Sequence, residues 1–141
     1  MKKISLLVVV ILLSFGCNNA NKTTEEKNAT TADAPAINEA SKKAAHDILE
    51  VYRQRVLKGE DMAELAKLYS QDPGSAKEGG LYKDVAKGVM VPEFEKVAFT
   101  LKPGEISEVF ETQYGFHFVQ LVSAHDGLVD IRHILIIPKA G

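Results

Sequence analysis

The chain has 141 residues, 45% of them apolar, with 17 basic against 19 acidic side chains and a formal net charge of −2. That length holds one modest domain around a single core, and the mild acidity argues against a nucleic-acid partner or a polybasic membrane patch. A single cysteine allows no internal disulfide, so the fold must stand on its core even in an oxidising compartment.

Lys2 and Lys3 precede a largely apolar run over residues 4–13, followed by Ser14, Phe15, Gly16 and Cys17. A membrane span needs roughly 20 apolar residues, so this shorter run has the layout of a secretory signal. The small Gly16 directly before the cysteine resembles a bacterial lipoprotein processing site, in which the cysteine becomes the lipid-bearing first residue. Ser14 stands where that pattern usually carries Leu, with Leu13 one place earlier, and a buried or chance thiol is the plain alternative for Cys17. Residues 1–17 are thus expected to form a lipoprotein signal segment. Residues 18–37 are mostly Asn, Lys, Thr, Glu and Ala with almost nothing to bury, the composition of a disordered tether.

The remaining residues, 38–141, are expected to be the folded domain. Ala45, Ile48, Tyr52 and Val56, widened by Leu49, give a helical stripe over about 38–58 that Gly59 is placed to end. Asp61 and Glu64 have capping-box spacing before a second helix with Met62, Leu65, Ala66 and Tyr69 on its apolar face. Residues 70–75 are turn-forming, and Gly79-Gly80 continues the loop. Pro92 suits the first position of a short helix carrying Phe94, Val97 and Ala98. Residues 101–104 turn the chain again, and 106–110 read as extended.

Two strands follow, over 116–124 and 128–137, separated by His125-Asp126-Gly127. A three-residue loop with Gly left-handed pairs Ala124 with Leu128. His117 then faces Leu135 and His133 faces Val119, which puts both imidazoles on one side of the sheet, roughly 7–8 Å apart on a diagonal. A two-residue Asp-Gly turn would instead send them to opposite faces.

Several pieces recur in a specific order: residues 59–66 (GEDMAELA), Asp72-Pro73-Gly74-Ser75-Ala76, Gly79-Gly80, residues 90–95 (MVPEFE), Ala98-Phe99, residues 101–107 (LKPGEIS) and 112–117 (TQYGFH). Together they resemble a parvulin-type (PpiC-like) peptidyl-prolyl isomerase over roughly residues 43–122. The resemblance implies an α+β, parvulin-like domain of the FKBP-like superfold, a four-stranded antiparallel sheet surrounded by helices. Two departures stand out. Leu81-Tyr82-Lys83 follows the double glycine where the family usually has Asp-Leu-Gly, and the histidine-bearing strand that opens such a domain occurs only at residues 130–136. The first strand would then be supplied by the C-terminus, as in a circular permutant, or the chain is one unit of a tandem-parvulin chaperone. Docking of that strand within the chain gives a monomer; exchange gives a strand-swapped dimer.

The family's reaction is rotation about an X-Pro bond, which breaks no bond and implies no cofactor and no metal. By position, Met90, Phe94 and Phe99 resemble its proline-binding residues, with ordinary core packing as the alternative. His117 and His133 match the two histidines beneath the pocket, and Thr112 a hydroxyl partner beside them; a purely structural pair is the alternative. Asp72 matches an acidic or thiol position near the twisting carbonyl and equally suits a turn former. Tyr82 replaces an apolar wall residue. The implied partners are proline-containing unfolded or extended polypeptides, and the implied location is the bacterial cell envelope, lipid-anchored. A non-catalytic chaperone or a strand-donating subunit are the competing functions.

Overall fold

The computed structural model describes residues 37–140, so the signal segment, Cys17 and all but the last residue of the tether lie outside the described residues. Helix α1 (Glu39–Leu57) starts at Asn38, whose side chain accepts from the Ser41 amide at 2.8 Å. It ends where Gly59 takes a φ of +101°, a backbone angle that glycine adopts without steric cost. Its buried face steps by four residues from Ala45 through Leu49 to Arg53, then by three to Val56. Ile48, expected in that stripe, is 46% exposed. Arg53 enters the interior instead because its guanidinium is satisfied by the Ser107 carbonyl (2.6 Å), Glu50 (3.0 Å) and Glu108 (2.7 Å).

Helix α2 (Met62–Tyr69) is capped by Asp61, which accepts from the Ala63 amide at 2.7 Å. The expected capping box does not close, because the Glu64 carboxylate turns along the helix to Lys67 at 2.8 Å. Pro92 opens the short α3 (Pro92–Ala98) as its position suggested.

Four antiparallel strands, β1 (Leu81–Val85), β2 (Phe110–Thr112), β3 (Gly115–His125) and β4 (Leu128–Ile136), form one sheet in the order β1-β4-β3-β2. The last strand in the chain therefore lies inside the sheet. β1 has no strand pattern of its own. Its register comes from β4, through Leu81 with Arg132, Tyr82 with Ile131 and Val85 with Val129. The segment read as extended over 106–110 makes one bridge, Ile106 with Gln120, before β2 begins.

The β3–β4 hairpin corrects one expectation and reaches its consequence by another route. His125 pairs with Leu128, so the loop is the two-residue Asp126-Gly127, with φ of +48° and +80°. Two left-handed residues make the tight hairpin turn whose twist matches that of the strands. Such a turn alone would offset the pairing by one. Val122 is an extra residue on β3: Ser123 pairs with Asp130, but Leu121 already pairs with Ile131. The bulge cancels the offset, and beyond it His117 faces Leu135 and Val119 faces His133.

Strand alternation then sorts two cores. Phe116, Phe118, Ile134 and Ile136 pack with Leu49, Met62, Leu65 and Ala66 under α1 and α2. Val119, Leu121, Val129 and Ile131 pack with Phe94 and Ala98 under α3. His117 and His133 share the α3 side.

Gly80 holds a φ of +75°, its carbonyl accepts from the His133 amide at 2.9 Å, and a Cβ on it would meet the His133 carbonyl oxygen at 2.1 Å. Gly127, with φ +80°, has open space around it. Gly127→Ala is expected to cost only the left-handed strain, about 1 kcal/mol. Gly80→Ala is expected to cost about 3 kcal/mol or more, because strand β4 must also retreat. Urea unfolding of both variants measures this, and equal losses would show that β4 is not held against Gly80.

Candidate active site

The side chains on the α3 side of the sheet build a continuous hydrogen-bonded row. His117 from β3 and His133 from β4 lie nearly parallel, ring centroids 5.5 Å apart with a 14° tilt, and their Nδ1 atoms are separated by 3.3 Å. Thr112 Oγ1 is 2.8 Å from His117 Nε2 at one end. At the other end His133 Nε2 is 2.8 Å from Asp72 Oδ2. That same carboxylate oxygen accepts from Ser75 Oγ (2.5 Å) and Tyr82 OH (2.9 Å), while Oδ1 accepts from the Gly74 amide at 3.2 Å.

Asp72 therefore anchors one end of the row, and its bond to the Gly74 amide fits the turn-former reading. An ionised carboxylate only accepts, so His133 Nε2 must donate to it. With both imidazoles neutral, His133 Nδ1 then accepts from His117 Nδ1–H, and His117 Nε2 accepts from the Thr112 hydroxyl. Thr112 in turn accepts from the Tyr114 amide at 3.2 Å. The proton assignment follows from the network, and it leaves no imidazole N–H free.

Electrostatics follow from the same contacts. The His133 hydrogen bond first, then those of Ser75, Tyr82 and the Gly74 amide, hold the Asp72 carboxyl well below the usual carboxylate range against the opposing effect of burial. Burial lowers His117 to about 4, and the neighbouring His133 adds to that while Asp72 opposes it. Burial, then the Asp72 carboxylate, pushes the Tyr82 phenol up.

Above this row lies a hollow of about 430 Å³ whose walls include Asp72, Tyr82, Met90, Val91, Phe94, His117, His133 and Leu135. Phe94 meets both imidazoles edge to face, at 5.6 Å from His117 and 5.4 Å from His133. Met90 is brought to the rim because Glu95 of α3 accepts from the Gly88 and Met90 amides. Thr112 is buried behind the pocket and reaches it only through His117.

Phe99 is not in the pocket. It lines a separate hollow with Leu101 and Leu121, with Lys87 Nζ 5.4 Å from its ring centroid. Five residues along a helix from Phe94 is about 140° around the axis, so the two rings face different ways. Sequence reading also missed Ser75, which is 1% exposed and lies 3.0 Å from His133 Nε2. It looked like one more turn residue, and only its pairing with Asp72 across the turn could have flagged it. Tyr114 and Val89, both exposed, form the outer lip. His125, expected in the loop between the two strands, ends β3 and sits 3.2 Å from Asp84 and 3.9 Å from Asp130, outside this pocket.

Comparison with known proteins agrees with this geometry. The chain is similar to a crystal structure of the peptidylprolyl isomerase PrsA from Bacillus cereus, with a TM-score of 0.55 and 36% identity over 57% of this chain and 31% of that one. An antiparallel α+β sheet domain of the parvulin kind is thus the class of protein. Residues 21–123 match the rotamase family of PPIC-type PPIase domains, and the chain belongs to that family. It is 51% identical over 81 residues to the foldase protein PrsA of Caldanaerobacter subterraneus subsp. tengcongensis, covering 57% of this chain and 25% of the relative. It is 46% identical over 83 residues to the chaperone SurA of Nitrosococcus oceani, covering 59% and 20%. The chain thus spans a fifth to a quarter of the length of these curated relatives.

The pKa directions set a pH dependence. Between pH 6.5 and about 4 the unfolded chain protonates His117 while the folded chain does not. Stability is therefore full above pH 6.5 and falls on acidification through that window, by about 3 kcal/mol. The Asp72 contribution, from a lowered carboxyl, is lost at lower pH, below its ordinary value of 3.8. NMR titration is expected to place His117 near 4; a midpoint at 6.5 would contradict a buried neutral imidazole.

Proposed function

We propose that this chain is a cofactor-independent peptidyl-prolyl cis-trans isomerase acting on unfolded or extended polypeptides exported to the bacterial cell envelope. The observation that carries this reading is the apolar hollow floored by the Phe94-packed imidazole pair, with a saturated carboxylate at its edge. The uncatalysed rotation faces a barrier of about 20 kcal/mol set by amide resonance. A catalyst need only bind the twisted amide better than either planar form, and a thousandfold acceleration asks for about 4 kcal/mol of that preference.

In this reading Met90, Val91, Phe94 and Leu135 hold the proline ring, and the preceding carbonyl lies towards Asp72. Resonance places negative charge on that carbonyl oxygen. A carboxylate nearby disfavours that charge, and the imidazole protons are already committed within the row, so the floor offers the oxygen no donor. Both features weaken the partial double bond. His117, His133, Thr112 and Ser75 act as positioning residues that keep Asp72 ionised and Phe94 level.

We further propose that β4 corresponds to the family's opening strand, here following β3 in sequence. Two observations support it: the family match ends at residue 123, and the strand beyond it pairs centrally between β3 and β1. Among the described residues no helix is long and apolar enough to cross a membrane, and the anchor in this reading is a lipid on Cys17.

For the full chain, acceleration of a cis-to-trans X-Pro peptide is expected, with kcat/KM lowered about tenfold by Met90→Ala and about a hundredfold by His133→Ala, or about 1.4 and 2.7 kcal/mol. Activity that ignores both substitutions would undo the site. Cys17→Ser is expected to move the protein from the membrane fraction to the soluble fraction in an expressing bacterium; retention of the variant on membranes would remove the lipid anchor.

A further inference from the structure

The pocket has a continuation. Gln71 and Ile137 line it and also line a second hollow, of about 630 Å³, on the far side of the same ridge. The ridge is held in place: the Gln71 amide donates to the Leu135 carbonyl at 2.8 Å, and the Ile137 amide donates to Gln71 Oε1 at 2.6 Å. Beyond it, the hollow is walled by Ala44 and Ile48 from α1 and by Leu68 and Tyr69 from α2.

These walls are apolar and solvent-facing. Ile48 is 46% exposed, Leu68 69%, Tyr69 38% and Ile137 45%, although isoleucine and leucine are usually spent on a core. The hollow is also pre-formed. Tyr52 and Tyr69 stack at 4.6 Å with a 15° tilt, and the Arg55 guanidinium lies 5.9 and 5.7 Å from their ring centroids. A firm apolar hollow that shares two wall residues with a polypeptide-binding pocket suits a side chain of the same polypeptide.

We propose that this hollow is a second subsite for the client chain, taking a large apolar or aromatic side chain that lies several residues from the proline being turned. The inference rests on reading the first pocket as a prolyl isomerase site. An extended chain advances about 3.3 Å per residue, so a client crossing Ile137 reaches the hollow within about five residues of its proline. The subsite would favour chains that display hydrophobic residues near proline, which unfolded proteins do and folded ones do not. Residues 18–36 of this chain are poor occupants, because they contain no apolar side chain larger than alanine or proline.

The test compares kinetics and binding on the full chain and on Ile48→Glu and Leu68→Glu, two exposed positions outside the first pocket. One substrate is a four-residue proline peptide that fills the pocket alone. The others have about twelve residues, with a Leu-Phe pair about five residues before or after the proline, or a Ser-Ser pair as control. The wild type is expected to show about a tenfold lower KM for one of the two Leu-Phe peptides, with kcat unchanged. Both Glu variants should lose that gain while turning over the four-residue peptide as before. Fluorescence anisotropy of the labelled long peptides reads the subsite without turnover, so an inactive protein that still prefers one Leu-Phe peptide would sink the isomerase and leave the subsite standing. Equal affinity for all long peptides, or a preference that survives both Glu substitutions, overturns the subsite. So does a concentration-dependent dimer that Leu68→Glu dissociates, since a second copy would then fill the hollow.

Discussion

Pairing of β3 with β4 is the contact on which the site depends, because it alone brings His117 and His133 to within 3.3 Å of each other. The pairing is set by two local irregularities acting in opposite senses. The tight Asp126-Gly127 turn shifts register by one residue, and the extra Val122 shifts it back. Either alone would leave one imidazole in the α1–α2 core and the other under α3. Gly80 adds a third constraint, since β1 can follow β4 closely only where no Cβ stands against the His133 carbonyl.

Geometry then decides charge. Asp72 sits on a turn that precedes β1, yet its Oδ2 receives three donors, from Ser75, Tyr82 and His133. Each donor stabilises the ionised carboxyl, and the ionised carboxyl fixes which way every proton in the row points. Tyr82 is the particular feature of this chain. It stands where the family usually has an apolar residue, and its hydroxyl fills the space beside Gly74, where a Cβ would meet it at 2.5 Å. Every imidazole N–H is thus committed within the row, which in the proposed function serves as a fixed floor for a reaction that transfers no proton.

Much of this is legible in the sequence. The family resemblance rested on ordered short pieces, and helix periodicity placed α1, α2 and α3 because 3.6-residue spacing is a local property. The shared face of the two histidines was also foreseen, though from the wrong loop. What failed had non-local causes. β1 exists because β4 offers it a partner, Arg53 is buried because Ser107 and Glu108 meet it from a distant loop, and Ser75 joins the site only through the fold of its turn. Phe99 is implied by position in the family pattern, and its place at the C-terminal cap of α3, about 140° round from Phe94, puts it in another hollow.

Strand order also bears on the second hollow. In a domain that opens with its histidine strand, the chain must leave that strand and travel to the first helix. Here the corresponding points are Ile137, just past β4, and Ser41 and Ala44 near the start of α1, and all three line the 630 Å³ hollow. A connection in the usual order would run across that surface and cover its apolar walls. Here β4 follows α1 in sequence, so the two points are far apart along the chain and no direct link joins them. On the proposed reading of β4 as the family's opening strand, this order leaves an apolar surface uncovered at the edge of the pocket. A protein that handles unfolded chains has a use for such a surface where most enzymes would have to hide it.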